Sequence, residues 1–192
     1  MKSFATFGLA MFAVVAMGTL ATAEVKIGDK APDFTATSVD GKQVSLKKAL
    51  SDSEAVVVCF TCNKCPVAVA YEDRFIDFTK KYKGKVSFIA VNCNAASEDL
   101  EQMKQRAEEK GFNFTYAYDE SGDAARDYGA RVTPELYVVN KQGTVEYHGA
   151  FDDNQKNPKE NYLVSAVDSV LAGKKPEVTE TKARGCGIKL KK

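Results

Sequence analysis

The stretch from Val56 to Ala68, "VVVCFTCNKCPVA", puts three cysteines in seven positions and follows the last directly with proline. It begins inside "AVVVCF" (55–60), a continuous apolar, β-branched run of the kind a strand buried on both faces requires. Beyond the cysteines, Val67, Tyr71, Phe75, Phe78 and Tyr82 recur at helical spacing, and Gly84 marks the stop. The stretch therefore reads as buried strand, cysteine turn and amphipathic helix. Three chemistries use such cysteines: a metal ligand set, a peroxide-reducing thiol, and a dithiol that exchanges electrons with other disulfides.

The spacing favours the dithiol. At the start of a helix, Cys62 is expected to meet free backbone N–H groups and the positive end of the helix dipole, both of which favour a thiolate. Cys65, three residues on, is near enough to attack a mixed disulfide formed at Cys62. Lys64 adds a cation beside the nucleophile, and Pro66 falls in the first turn, where its missing N–H costs little. A C-x-x-C between a buried strand and a helix thus predicts a redox pair rather than a metal half-site or an inert pair.

Working outward, "DFTATSV" and "KQVSL" flank Asp40-Gly41 and predict an N-terminal hairpin. "VSFIAVN" (86–92) is a second buried strand. Ser97 is positioned to cap a helix with Glu98 and Asp99 in its first turn, Leu100, Met103 and Ala107 inward and Gly111 as the stop. "FTYAY" reads as a strand, "SGDAARDYG" as a short helix, and "ELYVVN-KQG-TVEYHGAF" as a hairpin. Asn157-Pro158 opens a last helix with Leu163, Val167, Val170 and Leu171 inward. Alternation in the middle requires parallel strands with crossover helices, and the hairpins add antiparallel edges. The fold class is α/β, a mixed central sheet flanked by helices.

Residues 1–23, "MKSFATFGLAMFAVVAMGTLATA", have one lysine, a short apolar core and a small-residue "ATA" end, the pattern of a cleaved signal peptide. Export to the periplasm, with secretion as the alternative, would leave about 169 residues, enough for one domain with a full core. No membrane span is expected after cleavage. The domain is assigned to residues 24–173, and residues 174–192 are read as an extended, mobile, basic arm that carries Cys186. Against 26 acidic residues the whole chain has 27 lysines and arginines, a balance that does not favour nucleic acid as a partner.

The five cysteines, Cys59, Cys62, Cys65, Cys93 and Cys186, are an odd number, so at least one thiol stays free or pairs transiently. Cys59 lies within the apolar strand and reads as a small buried hydrophobe. Cys93 closes the second strand and is a candidate neighbour of Cys62. Cys186, between two glycines on a flexible tail, can reach a distant thiol at high effective concentration and so resolve a disulfide or sulfenic acid. His148 is the sole histidine, no complete metal ligand set is visible, and no metal or other cofactor is expected. A proline directly before a buried strand is often cis. A cis Thr133-Pro134 bond would offer the Thr133 backbone as a short edge to an extended substrate chain.

Taken together, "GDKAPDF…DGKQVSL", "FTCNKCPVAVAYEDRF", "YGARVTPELYVVNKQGTVEYHGAFDD" and "GCGIKLK" resemble, in order and spacing, the thioredoxin-like superfamily and especially its peroxiredoxin-like, exported branch. The resemblance implies a thioredoxin fold with an αβ insertion over residues 97–118, and a thiol oxidoreductase that meets a disulfide substrate and an upstream electron donor or acceptor. It implies Cys62 as nucleophile and Cys65 as resolving thiol. Thioredoxins carry a tryptophan before the first cysteine and a buried acid in the preceding strand. Here Thr61 and Val56 stand in those places, which leaves Glu135 as the candidate for proton handling. Peroxiredoxins place proline after the reactive cysteine, as Cys65-Pro66 does, with a threonine three residues before it and a distant arginine. Thr61 is four before, and Arg131 is the candidate arginine. A thiol peroxidase is therefore the alternative, and a metal- or haem-handling thiol carrier is another.

Overall fold

A computed structural model describes residues 24–191; the signal-peptide reading of residues 1–23 lies outside them. The chain opens with the expected hairpin, β1 (Thr35–Ser38) and β2 (Gln43–Ser45), turning at Gly41, whose φ of 82° suits glycine. Helix α1 (Leu46–Asp52) follows at once, capped by the Ser45 side chain, which accepts the Lys48 N–H. The sequence reading missed it, because seven residues with a single fully buried position show no helical stripe.

Strand β3 (Ala55–Phe60), helix α2 (Pro66–Lys81) and strand β4 (Val86–Asn92) form the central crossover, with β3 and β4 parallel from Ala55 opposite Val86 to Phe60 opposite Val91. Then come α3 (Leu100–Lys110), β5 (Thr115–Tyr118), α4 (Asp123–Tyr128), the two-residue β6 (Val132–Thr133), and the hairpin of β7 (Glu135–Asn140) with β8 (Val145–Gly149). Helix α5 (Tyr162–Leu171) and the two-residue β9 (Cys186–Gly187) finish the chain. The main sheet has seven strands in the order β2-β1-β5-β4-β3-β7-β8, and β6 pairs separately with β9.

Why β3 is apolar at every position is now plain. Ala55, Val57 and Cys59 face a core layer with α2, α3 and α5, around Phe75, Phe78, Met103 and Leu163. Val56, Val58 and Phe60 face the other layer, with Leu46 of α1 and Ala124, Ala125 and Tyr128 of α4. A period of two sends alternate side chains into two dry layers.

Three expectations need correction. Helix α3 is capped by Asp99, not Ser97: Asp99 accepts the Gln102 N–H and the Gln102 side chain returns to the Asp99 N–H, closing a capping box. Glu98 is thereby left outside the helix. Helix α5 starts after Asn161, which accepts the Val164 N–H, rather than at Asn157-Pro158, because Asp153 holds the N–H groups of Lys159 and Glu160 in a turn. The C-terminal arm is extended as expected but docked rather than mobile. The Thr181 N–H donates to the His148 carbonyl, the Ile188 N–H to Arg131, and the Lys189 N–H to Asn94 Oδ1. A composition rich in charge hides this, since the arm is held largely by backbone hydrogen bonds, with Ile188 and Leu190 packed on the core.

Leu163 is fully buried in the layer against β3. Leu163→Ala is expected to destabilise the fold by about 2–5 kcal/mol, read from urea unfolding of the mature chain.

Candidate active site

The cysteine turn leaves the C-terminal end of β3, in mid-sheet, where the parallel strands end and open α/β sheets present their ligand crevices. The N-terminal residue Pro66 lets α2 start without a missing hydrogen bond, and Cys65 is its N-cap. The loop before β7 returns to the same place, because Glu135 pairs with Phe60, the last residue of β3. Thr133 therefore faces the cysteine turn, and its bond to Pro134 is cis, as the sequence reading favoured. Cys62 Sγ lies 3.3 Å from Thr133 Oγ1, and the Cys65 thiol donates to the Thr133 carbonyl at 3.1 Å. Both thiols are nearly enclosed, Cys62 at 7% exposure and Cys65 at 2%.

The cysteine turn is held by Glu98. Its carboxylate accepts the backbone N–H of Asn63 at 2.8 Å and of Lys64 at 3.1 Å, and the Asn92 side-chain amide at 2.9 Å. The Tyr116 hydroxyl donates to Asn63 Oδ1 at 2.8 Å. These residues escaped sequence reasoning. Glu98 reads as an ordinary first-turn acid beside Ser97, and only the shift of the cap to Asp99 turns it inward.

The electrostatics reverse the expectation for the two thiols. Burial, followed by the nearby Glu98 charge, pushes the Cys62 pKa up against the help of the Thr133 hydroxyl and the Cys65 backbone N–H. Burial also opposes a charge on Cys65. There the Cys186 thiol, the Ala68 N–H and the Thr133 hydroxyl outweigh it and hold the pKa below that of an ordinary cysteine. Cys65, rather than Cys62, is the thiol at the helix start. The Lys64 ammonium does not face sulfur: it is bonded to the Ser97 carbonyl.

The remaining candidates separate cleanly. Cys186 joins the site: opposite Thr133 in the β6–β9 pair, it packs against Cys62, Cys65 and Ala68. The neighbouring Cys65 sulfur raises the Cys186 pKa to about 11, so Cys186 keeps the proton and Cys65 is favoured to carry the charge. Cys93 does not join it. Its thiol donates to Asp119 at 3.6 Å within the other core layer, and burial pushes its pKa far up. Thr61 continues the β3 ladder through its N–H to Val91. Glu135 is buried, bonded to His148 Nε2 at 2.7 Å and to the Arg131 and Val132 N–H groups, so it braces the loop before Pro134 and makes no bond to either thiol. Arg131, 78% exposed, reaches outward to Glu24. Among the described residues, no three His, Cys, Asp or Glu side chains converge as metal ligands would. Beside the thiols an open cleft of about 410 Å³ runs between Val67, Tyr71, Pro134 and Phe151 and the arm's Lys182 and Arg184.

Comparison with known proteins places the chain among thioredoxin-like proteins. The thioredoxin-like protein YneN of Bacillus subtilis is 26% identical over 122 residues, 64% of this chain and 70% of that protein. The thiol-disulfide oxidoreductase ResA of Bacillus thuringiensis subsp. konkukian is 28% identical over 144 residues, 73% of this chain and 78% of its own. A crystal structure of a hypothetical protein from Sinorhizobium meliloti 1021 superposes with a TM-score of 0.81 at 32% identity, covering 88% of this chain and 97% of that one. The pattern of the AhpC/TSA family matches residues 27–148, from before the first hairpin to the histidine behind Glu135. With a thioredoxin fold and a family match over more than half its length, the chain belongs to the AhpC/TSA family.

Proposed function

We propose that the protein is an exported thiol-disulfide oxidoreductase that works through Cys62 and Cys65. The observation that carries this reading is the meeting of the two thiols of one turn on opposite ends of Thr133, in a nearly closed site at the head of α2. The names of the relatives YneN and ResA point the same way. Export rests on the leader-like residues 1–23. No helix among the described residues is long and apolar enough to cross a membrane.

In the reducing direction, the Cys62 thiolate attacks one sulfur of a substrate disulfide and expels the other as a thiolate, which takes a proton from solvent. The Cys65 thiolate then attacks the Cys62 sulfur, closes the Cys62–Cys65 bond and releases the second substrate thiol. Two electrons pass from protein to substrate, and a dithiol donor restores the pair. A low pKa at Cys65 suits both halves of the cycle. It supplies the thiolate for the second attack, and in the oxidised protein it makes Cys65 the better leaving group, which directs incoming thiolates to Cys62. A protein substrate would lie along the edge at Thr133 and Pro134 with its chain in the adjoining cleft. The potential of the pair against that of its partner sets the direction of net flow.

Peroxide reduction is the second reading, and the stabilised thiolate of Cys65, followed by Pro66, is the observation in its favour. Against it stands Arg131, whose guanidinium is paired with Glu24 and makes no hydrogen bond to either thiol.

Cys62→Ser and Cys65→Ser should each reduce catalysed reduction of a protein disulfide to the uncatalysed rate, while Cys59→Ala and Cys93→Ala retain it. Hydrogen peroxide consumed at a comparable rate, with Cys65 required and Cys62 dispensable, would move the protein to the peroxidases. A second measurement isolates Glu98. Its negative charge disfavours the Cys62 thiolate, so Glu98→Gln should shift the alkylation midpoint of Cys62 to lower pH. An unchanged midpoint would remove Glu98 from the electrostatics of the site.

A further inference from the structure

The edge before Pro134 is already occupied. Strand β9 of the C-terminal arm pairs antiparallel with β6, Cys186 opposite Thr133 and Gly187 opposite Val132. This is the short edge to which the proposed substrate chain would add, and the arm meets it as an added strand does. The arm is fixed on both sides of this contact. Upstream, the Thr181 hydroxyl bonds both the Tyr147 hydroxyl at 2.6 Å and the Ala150 N–H at 2.9 Å. Downstream, the Ile188 N–H reaches the Arg131 carbonyl at 3.0 Å.

The approach is also close enough to need a residue without a side chain. A Cβ at Gly185 would overlap the Thr133 carbonyl. With Gly185 in place, Cys186 comes down onto Cys62, Cys65 and Ala68 and joins them in one cluster. The sulfur of a docked substrate would have to arrive at the same spot.

We propose that Cys186 is a third redox residue of this site, carried on an arm that docks as an internal substrate strand and able to form a disulfide with Cys65. The inference rests on the dithiol exchange proposed above. Starting from the oxidised Cys62–Cys65 pair, Cys186 sulfur attacks Cys65 sulfur. The Cys65–Cys186 bond forms, the Cys62–Cys65 bond breaks, and Cys62 leaves as a thiolate that takes up the proton Cys186 has lost. No electron is gained or lost by the protein, so no further oxidant is needed. The Thr133 hydroxyl, 3.3 Å from Cys62 Sγ, is placed to hydrogen-bond the departing sulfur. Docking supplies a high effective concentration of the attacking thiol beside Cys65, which offsets the leaving-group preference that directs thiolates from solution to Cys62.

Two arrangements of one oxidised protein follow. With Cys62–Cys65 joined, the arm is held without a covalent tie, by hydrogen bonds and the packing of Ile188 and Leu190, and can yield its edge to a substrate chain. With Cys65–Cys186 joined, the arm is tied over that edge and Cys62 stands as a free thiol. The reduced protein carries a related consequence: Cys186 packs against the Cys65 cluster and helps to hold the Cys65 pKa down, so removing its thiol should leave Cys65 a weaker acid.

The test is peptide mapping by mass spectrometry, without reduction, of the mature chain equilibrated in glutathione redox buffers. Wild type is expected to yield both Cys62–Cys65 and Cys65–Cys186 linked peptides. Cys62→Ser should keep a reversible Cys65–Cys186 couple within one chain. Gly185→Ala, which pushes the arm off Thr133, should lose the Cys65–Cys186 link while retaining Cys62–Cys65. In the reduced protein, Cys186→Ala, which removes the side-chain donor, should move the alkylation midpoint of Cys65 to higher pH, an effect that arm docking without thiol contact would not produce. If Cys62–Cys65 forms and Cys65–Cys186 is absent from wild type and from Cys62→Ser, the role of Cys186 falls and the exchange reading stands. If neither link forms at any potential, the exchange reading itself falls.

Discussion

Everything at this site depends on one strand being dry on both faces. Strand β3 sends Val57 and Cys59 into one core layer and Val56, Val58 and Phe60 into the other, and pairs with β4 on one side and β7 on the other. Its backbone groups are consumed by two ladders and its side chains by two layers, so its end is a fixed point. The cysteine turn, the start of α2 and the loop before Pro134 are all referred to it. This is how residues 71 positions apart in sequence, Cys62 and Thr133, come to lie in hydrogen-bond contact.

On that frame the polar groups divide the work. One carboxylate, Glu98, grips the cysteine turn through two backbone N–H groups, and another, Glu135, grips the Thr133 loop in the same way while pairing with His148. Each satisfies donors that would otherwise be stranded near the buried thiols. They differ in electrostatic effect. Glu98 opposes a charge at Cys62, whereas the Ala68 N–H and the Cys186 thiol favour one at Cys65. The dithiol is thus polarised toward its second cysteine.

The arm explains why that polarity is possible. A helix start alone would favour a charge at its cap residue, but burial opposes it, and the donors on Cys65 decide the balance. One of those donors comes from the far end of the chain. Because β9 adds to β6 by backbone pairing, the position of Cys186 is set by that pairing, by a glycine at 185 and a hydroxyl at 181, and by the packing of Ile188 and Leu190 beyond it.

Much of this was legible from sequence. An unbroken apolar run sufficed for β3, helical spacing for α2, an Asp-Gly for the first hairpin, and the C-x-x-C with its proline for the place of the chemistry, because each of these signals is local. Helix α1 was not legible, being too short for a stripe, nor were the caps of α3 and α5, where neighbouring polar residues compete for one role. The sequence also suggested Cys62 rather than Cys65 as the stronger acid, placed Cys93 near a site from which its core layer separates it, and offered for Glu135 and Arg131 tasks at the thiols, whereas Glu135 is bonded to His148 and Arg131 to Glu24. Burial, the identity of the nearest donor and the approach of one segment to another depend on residues far apart in the chain. The sequence by itself determined the strand-turn-helix and its pair of cysteines. Only the tertiary structure decided which sulfur is favoured to hold the charge, which acid holds the turn, and that Cys186 returns to meet them.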